Sequence, residues 1–277
     1  MRKSLKTTLR MTLMAMGLGS ILSTTWAGPL GNTVEPAVTA PLEKTPQVTL
    51  LIGNSYSFYN CGVHTYLRGF MQASNPKIPM KTRLLTISSG SLSFHNVADY
   101  LKPHDQDPYG DTKDGELTHP MFDVVLLQEH SAGATSAKRL PFLKRDAKRH
   151  AETIRAAGST PILIMTWTKA DKREELGKLA DNTIAAANDA GMRVVPVGLA
   201  FERARTALPD VVFQMPDKSH PTGAGTYLYA ATLYASLFHR SPEGLDFTGD
   251  CEKPLDASLA QRLEAIAWET VKTFNHW

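Results

Sequence analysis

Cysteine is scarce in this 277-residue chain: it occurs twice, as Cys61 and Cys251. That scarcity excludes a small scaffold held together by many disulfides. The sequence also has no C-x-x-C and no H-x-x-x-H, so a familiar zinc spacing is missing and no metal is expected. Long apolar runs are missing too, apart from Met11–Leu22, which is too short to span a bilayer comfortably. No internal repeat is visible, which excludes a solenoid or a propeller.

An excess of one charge is lacking as well, once the N-terminus is set aside. Arg2, Lys3, Lys6 and Arg10 form a basic head, Met11 to Leu22 is apolar, and Thr25-Trp26-Ala27 puts small residues where a signal peptidase reads. Residues 1–27 are therefore expected to be a signal peptide, and the mature protein periplasmic or secreted. No Cys lies near the cleavage point, so no lipid anchor is expected. The full chain has 30 Lys+Arg against 27 Asp+Glu, and losing the four basic residues of the head leaves 26 against 27. The alkaline pI belongs to the precursor, and neither nucleic acid nor an anionic membrane is an expected partner. Residues 28–46, rich in Pro, Gly and Thr, read as an extended leader, and 47–277 as one domain with enough length for a large core. In an oxidising compartment Cys61 and Cys251 invite a disulfide, with two small buried thiols as the alternative.

What is present is an alternation. Val48–Ile52, Arg83–Ile87, Val124–Leu127, Pro161–Met165 and Arg193–Val197 are short runs rich in Val, Ile and Leu, as buried strands are. Segments of helical period lie between them, for example Leu140–Ala157 and Lys172–Ala190, which end near Gly158 and Gly191. This pattern predicts an α/β fold: a flavodoxin-like three-layer α/β/α sandwich around a mainly parallel five-stranded sheet. Active sites in such sheets lie beyond the carboxyl ends of the strands, and Ser55, Gly90, Gln128 and Trp167 each follow a predicted strand. The segment Pro103–Pro120 is irregular. Its Asp105, Asp107, Gly110 and Glu116 match part of a calcium-loop spacing, but Pro108, Tyr109 and Lys113 argue for a solvated loop or a lid.

The first strand breaks abruptly into Gly53-Asn54-Ser55. A serine attacks a carbonyl only when a base takes its proton and a third group orients that base. Asp217-Lys218-Ser219-His220 supplies both, with the carboxylate three residues before the imidazole on a loop that enters a helix. With these blocks in this order the chain resembles the SGNH hydrolases (GDSL-type esterases and lipases). Gly53-Asn54-Ser55 is similar to the family's first block, Gly90 in Ser88-Ser89-Gly90-Ser91 to the second, and Asp217 with His220 to the last. The resemblance implies Ser55 as nucleophile, His220 as base and Asp217 as its orienter. It also implies an oxyanion hole made by the N–H groups of Ser55 and Gly90. The third block departs from the family: where Gly-x-Asn-Asp is usual, this chain has Leu127-Gln128-Glu129-His130-Ser131. Gln128 carries the same amide donor on a longer stem and is the expected third donor, with a strand cap as its alternative role.

His64, His95, His119 and His130 have no carboxylate at matching spacing and read as rim or surface residues; Glu129, beside His130, would point elsewhere in a strand. Trp167 is expected either to wall the acyl or sugar pocket or to pack in the core. The α/β-hydrolase elbow G-x-S-x-G is absent. The resemblance implies a cofactor-free serine esterase acting on carboxylic esters, acetyl or short acyl groups on carbohydrate among them. Acyl transfer by the same residues and a non-catalytic carbohydrate-binding protein are the alternatives.

Overall fold

Five parallel strands run in the order β2-β1-β3-β4-β5 in the computed structural model. The structure describes residues 30–102, 120–249, 251 and 253–277. The strands are β1 (Val48–Gly53), β2 (Lys81–Thr86), β3 (Val124–Gln128), β4 (Thr160–Ile164) and β5 (Arg193–Val195). Successive side chains of a strand point to opposite faces, and each face here meets its own apolar layer. Leu51, Val124, Leu126, Ile162, Ile164 and Val195 enter one core, whereas Leu50, Ile52, Val125, Leu127, Leu163 and Val194 enter the other. Strands buried on both sides read as unbroken apolar runs, which is why they were visible in the sequence.

The first core lies under α2 (Val63–Ala73), α6 (Val197–Ala207), α7 (Gly223–Phe238) and α8 (Ala257–Asn275), and the second under the one-turn α3 (Val97–Tyr100), α4 (Leu140–Ala156) and α5 (Leu176–Asp189). The three-layer parallel sandwich predicted from the sequence is the architecture observed. Most boundaries differ from expectation by one or two residues, β2 beginning at Lys81 rather than Arg83 for example, and two of the differences have a plain local form. The fifth strand stops at Val195, because Pro196 has no N–H to offer a ladder and Val197 opens α6. The helix expected from Lys172 begins as a 3₁₀ turn, Arg173–Glu175, and becomes α5 only at Leu176.

Residues 30–46 carry no regular element and are pinned along the domain. Asp181 on α5 accepts from Thr33 N at 2.7 Å and Val34 N at 2.9 Å, and Trp277 Nε1 donates to Thr39 O at 2.8 Å. The expected signal peptide (1–27), the calcium-like spacing (Asp105, Asp107, Gly110, Glu116) and His119 lie outside the described residues. Cys61 and Cys251 are bridged, with Cα atoms 5.8 Å apart across 190 residues of sequence.

Candidate active site

Ser55 opens a one-turn helix, α1 (Ser55–Phe58), directly after β1. The turn forms because Asn54, in an extended conformation, caps it: Asn54 Oδ1 accepts from Tyr56 N at 3.1 Å. The same side chain ties three strand ends together, since Asn54 Nδ2 donates to Gly90 O at 2.9 Å and to Glu129 O at 3.3 Å. Gly53 has no room for a side chain: a Cβ there would lie 2.5 Å from Gln128 Oε1. His95, buried on the other side, bonds Gly53 O through Nε2 at 3.0 Å. The serine thus sits on a rigid corner rather than a loose loop.

His220 reaches it from the far end of the chain. The segment after Gln214 folds back on itself, with Met215 N donating to His220 O at 2.8 Å, Lys218 N to Met215 O at 2.7 Å, and Lys218 held at φ 61°. This turn brings the Ser55 hydroxyl to within 2.8 Å of His220 Nε2, and His220 Nδ1 to within 2.5 Å of Asp217 Oδ2. Asp217 Oδ1 accepts in addition from the N–H groups of Ser219 at 2.9 Å and His220 at 3.0 Å. Burial pushes the Asp217 carboxyl up, but the bonds from the His220 imidazole and these two N–H groups outweigh it and hold the carboxyl below its ordinary range. Tyr59 stacks on the His220 ring at 4.2 Å and Tyr56 meets it edge-on at 5.7 Å, so the imidazole has a fixed plane.

Comparisons with known proteins bear on the fold. No family model matches the sequence, and no curated protein matches it. Among solved structures, a DUF4886 family protein from Bacteroides uniformis is 19% identical with a TM-score of 0.61, covering 81% of this chain and 94% of its own. A protein assigned as an SGNH hydrolase from Slackia heliotrinireducens is 20% identical with a TM-score of 0.51, covering 69% and 98%. An acetyl xylan esterase is 12% identical with a TM-score of 0.50, covering 69% and 99%. The chain has the SGNH-hydrolase fold.

Within that fold, two of the three expected oxyanion donors are engaged elsewhere. Gly90 N–H closes a turn onto Ile87 O at 2.8 Å, and a Cβ at Gly90 would lie 2.8 Å from that same oxygen. Gly90 therefore shapes the second loop and presents its carbonyl, not its N–H, to Asn54. Gln128 is buried at 1% exposure and donates both amide protons internally, to Asn54 Oδ1 at 2.8 Å and Glu129 O at 2.9 Å. Its Oε1 accepts from Ser57 Oγ at 2.7 Å and Asn54 N at 3.3 Å. The amide is a strut between β3 and the corner that carries Ser55, because both of its protons are taken by buried acceptors. Only the Ser55 N–H, in the first turn of a helix where N–H groups have no intrahelical partner, meets no acceptor among the described residues.

Gln128→Ala is accordingly expected to act on stability. Removing the amide leaves Asn54 N–H without an acceptor, takes one of two partners from the Ser57 hydroxyl, Asn54 Oδ1 and Glu129 O, and opens a buried cavity, which together cost about 2–4 kcal/mol. Urea unfolding measures it, and an unchanged midpoint would contradict the strut.

Trp167 does not wall a pocket. At 1% exposure it stacks between Tyr56 (4.4 Å) and Phe201 (4.2 Å), and its Nε1–H donates to Ser219 O at 2.9 Å. It is a core column beneath the turn that carries His220. His64 is half-buried near the start of α2 and His130 half-buried after β3, while Glu129 is buried and accepts from Leu92 N–H at 3.1 Å and His130 N–H at 2.8 Å. A cavity of about 730 Å³ opens at the opposite, amino ends of the strands, lined by Asp123, Arg155, Arg193 and the 38–47 segment, away from Ser55. Sequence reasoning missed Asn54 as the hub, although an Asn directly before a helix-opening Ser is a capping signal.

Proposed function

We propose that this chain is an exported serine esterase that works through an acyl-enzyme on Ser55. The observation that carries the reading is the continuous relay from Ser55 Oγ through His220 to Asp217. Ser55 attacks the ester carbonyl while His220 Nε2 takes its proton. Asp217 fixes the tautomer, leaving Nε2 free to accept, and stabilises the imidazolium that forms. The Ser55 N–H donates to the oxyanion of the tetrahedral intermediate. His220 returns the proton to the departing alcohol, then activates the water that releases the acid.

Short acyl esters on carbohydrate are the proposed substrate class, supported by the acetyl xylan esterase that shares this fold. Export is supported by the basic head and apolar run of residues 1–22 and by the Cys61–Cys251 bridge, which an oxidising compartment favours. The test is a panel of p-nitrophenyl esters of increasing acyl length together with acetylated sugars, with products resolved in the presence and absence of a sugar acceptor. The expected result is free acetate from both classes and a steep fall beyond short chains. Acetate appearing only as a new sugar ester would instead make the protein an acyltransferase.

A further inference from the structure

The last helix buries a titratable side chain that the chemistry of Ser55 does not use. Ala260, Leu263, Ala267, Val271 and Phe274 form the inward stripe of α8, and Glu264 lies among them at 1% exposure. The charge that bears on it, the Glu243 carboxylate, is of like sign, and among the described residues no lysine or arginine pairs with it. A carboxylate without a cation is costly in such a place, and the neutral acid is favoured.

The hydrogen bonds around it fix where its proton must be. Tyr227 Oη lies 2.6 Å from Glu264 Oε1 and 2.7 Å from Phe247 O. Oxygens this close need a proton in each gap; the tyrosine hydroxyl has one to give, and the Phe247 carbonyl has none. Were Glu264 a carboxylate, Tyr227 could serve only one of the two oxygens. With a proton on Glu264 Oε1 both gaps are filled: Glu264 donates to Tyr227, and Tyr227 donates to Phe247 O. Oε2 then remains the acceptor, which is how it meets Gly244 N–H at 3.2 Å. Burial, the largest influence, pushes the Glu264 carboxyl up and Glu243 adds to it, against the bonds from Tyr227 and Gly244 N–H. Burial, then Glu264, push the Tyr227 hydroxyl up as well, so the tyrosine keeps its own proton. Glu129 is also buried, but its oxygens accept N–H groups, which bring their own protons.

We propose that Glu264 is held as a neutral carboxylic acid that donates to Tyr227, and that its ionisation unlatches the 244–247 segment from α7. On ionisation the Oε1–H bond breaks and the proton leaves to solvent. The carboxylate then draws the Tyr227 O–H to itself, and Phe247 O loses its donor. Phe247 anchors this segment, its ring packing on Phe70 at 5.0 Å, Tyr227 at 5.8 Å and Tyr66 at 6.3 Å. Cys251, a few residues further on, carries the bridge to Cys61, so the latch and the bridge hold one stretch of chain. Because the folded carboxyl keeps its proton to higher pH than the unfolded one, the latch contributes fully in the ordinary carboxylate range and below. Its contribution is lost as pH rises through the raised value. None of this depends on Ser55 being a nucleophile.

Glu264→Gln copies the neutral acid without its titratable proton, the amide N–H donating to Tyr227 and the amide oxygen accepting Gly244 N–H. Between about pH 5 and about pH 9, wild-type Tm is expected to fall relative to this variant by about 2–4 °C, the loss of one net hydrogen bond in a domain of this size. Groups common to both proteins cancel in that difference. A carbon-13 NMR titration of protein labelled at the glutamate carboxyls reads the proton itself. The resonance missing from Glu264→Gln should keep its protonated shift at about pH 7, where ordinary glutamates, with pKa values of about 4.3, have ionised. Tyr227→Phe removes the shared hydroxyl and should move the same titration, which identifies the resonance if the Gln variant fails to fold. A Glu264 resonance that titrates in the ordinary range, or a Tm difference that stays constant over this pH interval, would overturn the proposal.

Discussion

Ser55→Ala is expected to lower kcat on an activated ester by on the order of 10⁴ or more, and His220→Ala by a similar factor, with the fold unchanged. In the proposed mechanism both residues act in one proton transfer: the hydroxyl lies 2.8 Å from the imidazole nitrogen that would receive its proton, so removing either group removes the same step. The double variant should consequently be scarcely slower than either single one. Asp217→Asn is expected to be equal or milder. The base remains, but the amide no longer accepts from Nδ1 with full charge, and the imidazolium loses its counter-ion. Initial rates of the four purified variants check all of this. Additive losses in the double variant would mean that Ser55 and His220 do not act as a unit.

The second large effect concerns stability. The Cys61–Cys251 bridge closes a loop of 190 residues, for which the chain-entropy model allows about 5 kcal/mol, and real bridges give roughly 2–5 kcal/mol. For a domain of this size that corresponds to about 5–15 °C in Tm for the Cys61→Ser, Cys251→Ser double variant. Activity should fall as well, through position. Cys61 follows Asn60, whose Nδ2 donates to Pro221 O at 2.9 Å and Thr226 Oγ1 at 2.7 Å, immediately beside His220. Loosening this turn at the start of α2 loosens the base. Calorimetry with and without reductant measures the first effect, and two thiols titrating in unfolded, unreduced protein would contradict the bridge.

The sheet was legible in the sequence because parallel strands buried on both faces leave compact Val, Ile and Leu runs, and because Gly158 and Gly191 punctuate the helices between them. Ser55, Asp217 and His220 were legible because each sits in a short local pattern: a strand end, and a D-x-x-H turn. The internal bonding of Gln128 and Gly90 was not. Whether Gln128 can donate to substrate depends on where Asn54, 74 residues earlier, places its Oδ1, and no spacing encodes that. Whether the Gly90 N–H is free depends on a turn back to Ile87. Trp167 could have lined a pocket on sequence alone. Its neighbours in the stack, Tyr56 and Phe201, come from distant segments and are what bury it. The amino end of α6 at Val197 looks like strand in the sequence because Arg193–Val197 is apolar throughout after its first residue, and it is Pro196, with no N–H for the ladder, that ends the strand at Val195.

The central claim is that Ser55 is a nucleophile activated by His220. Intact-mass analysis after incubation with a fluorophosphonate tests it most directly, because the reagent reports the activated hydroxyl whatever the natural ester is. The expected result is one adduct per chain, mapped by peptide sequencing to Ser55, absent from Ser55→Ala and formed far more slowly in His220→Ala. A wild-type chain that stays unmodified, or an adduct that persists in Ser55→Ala, would contradict it.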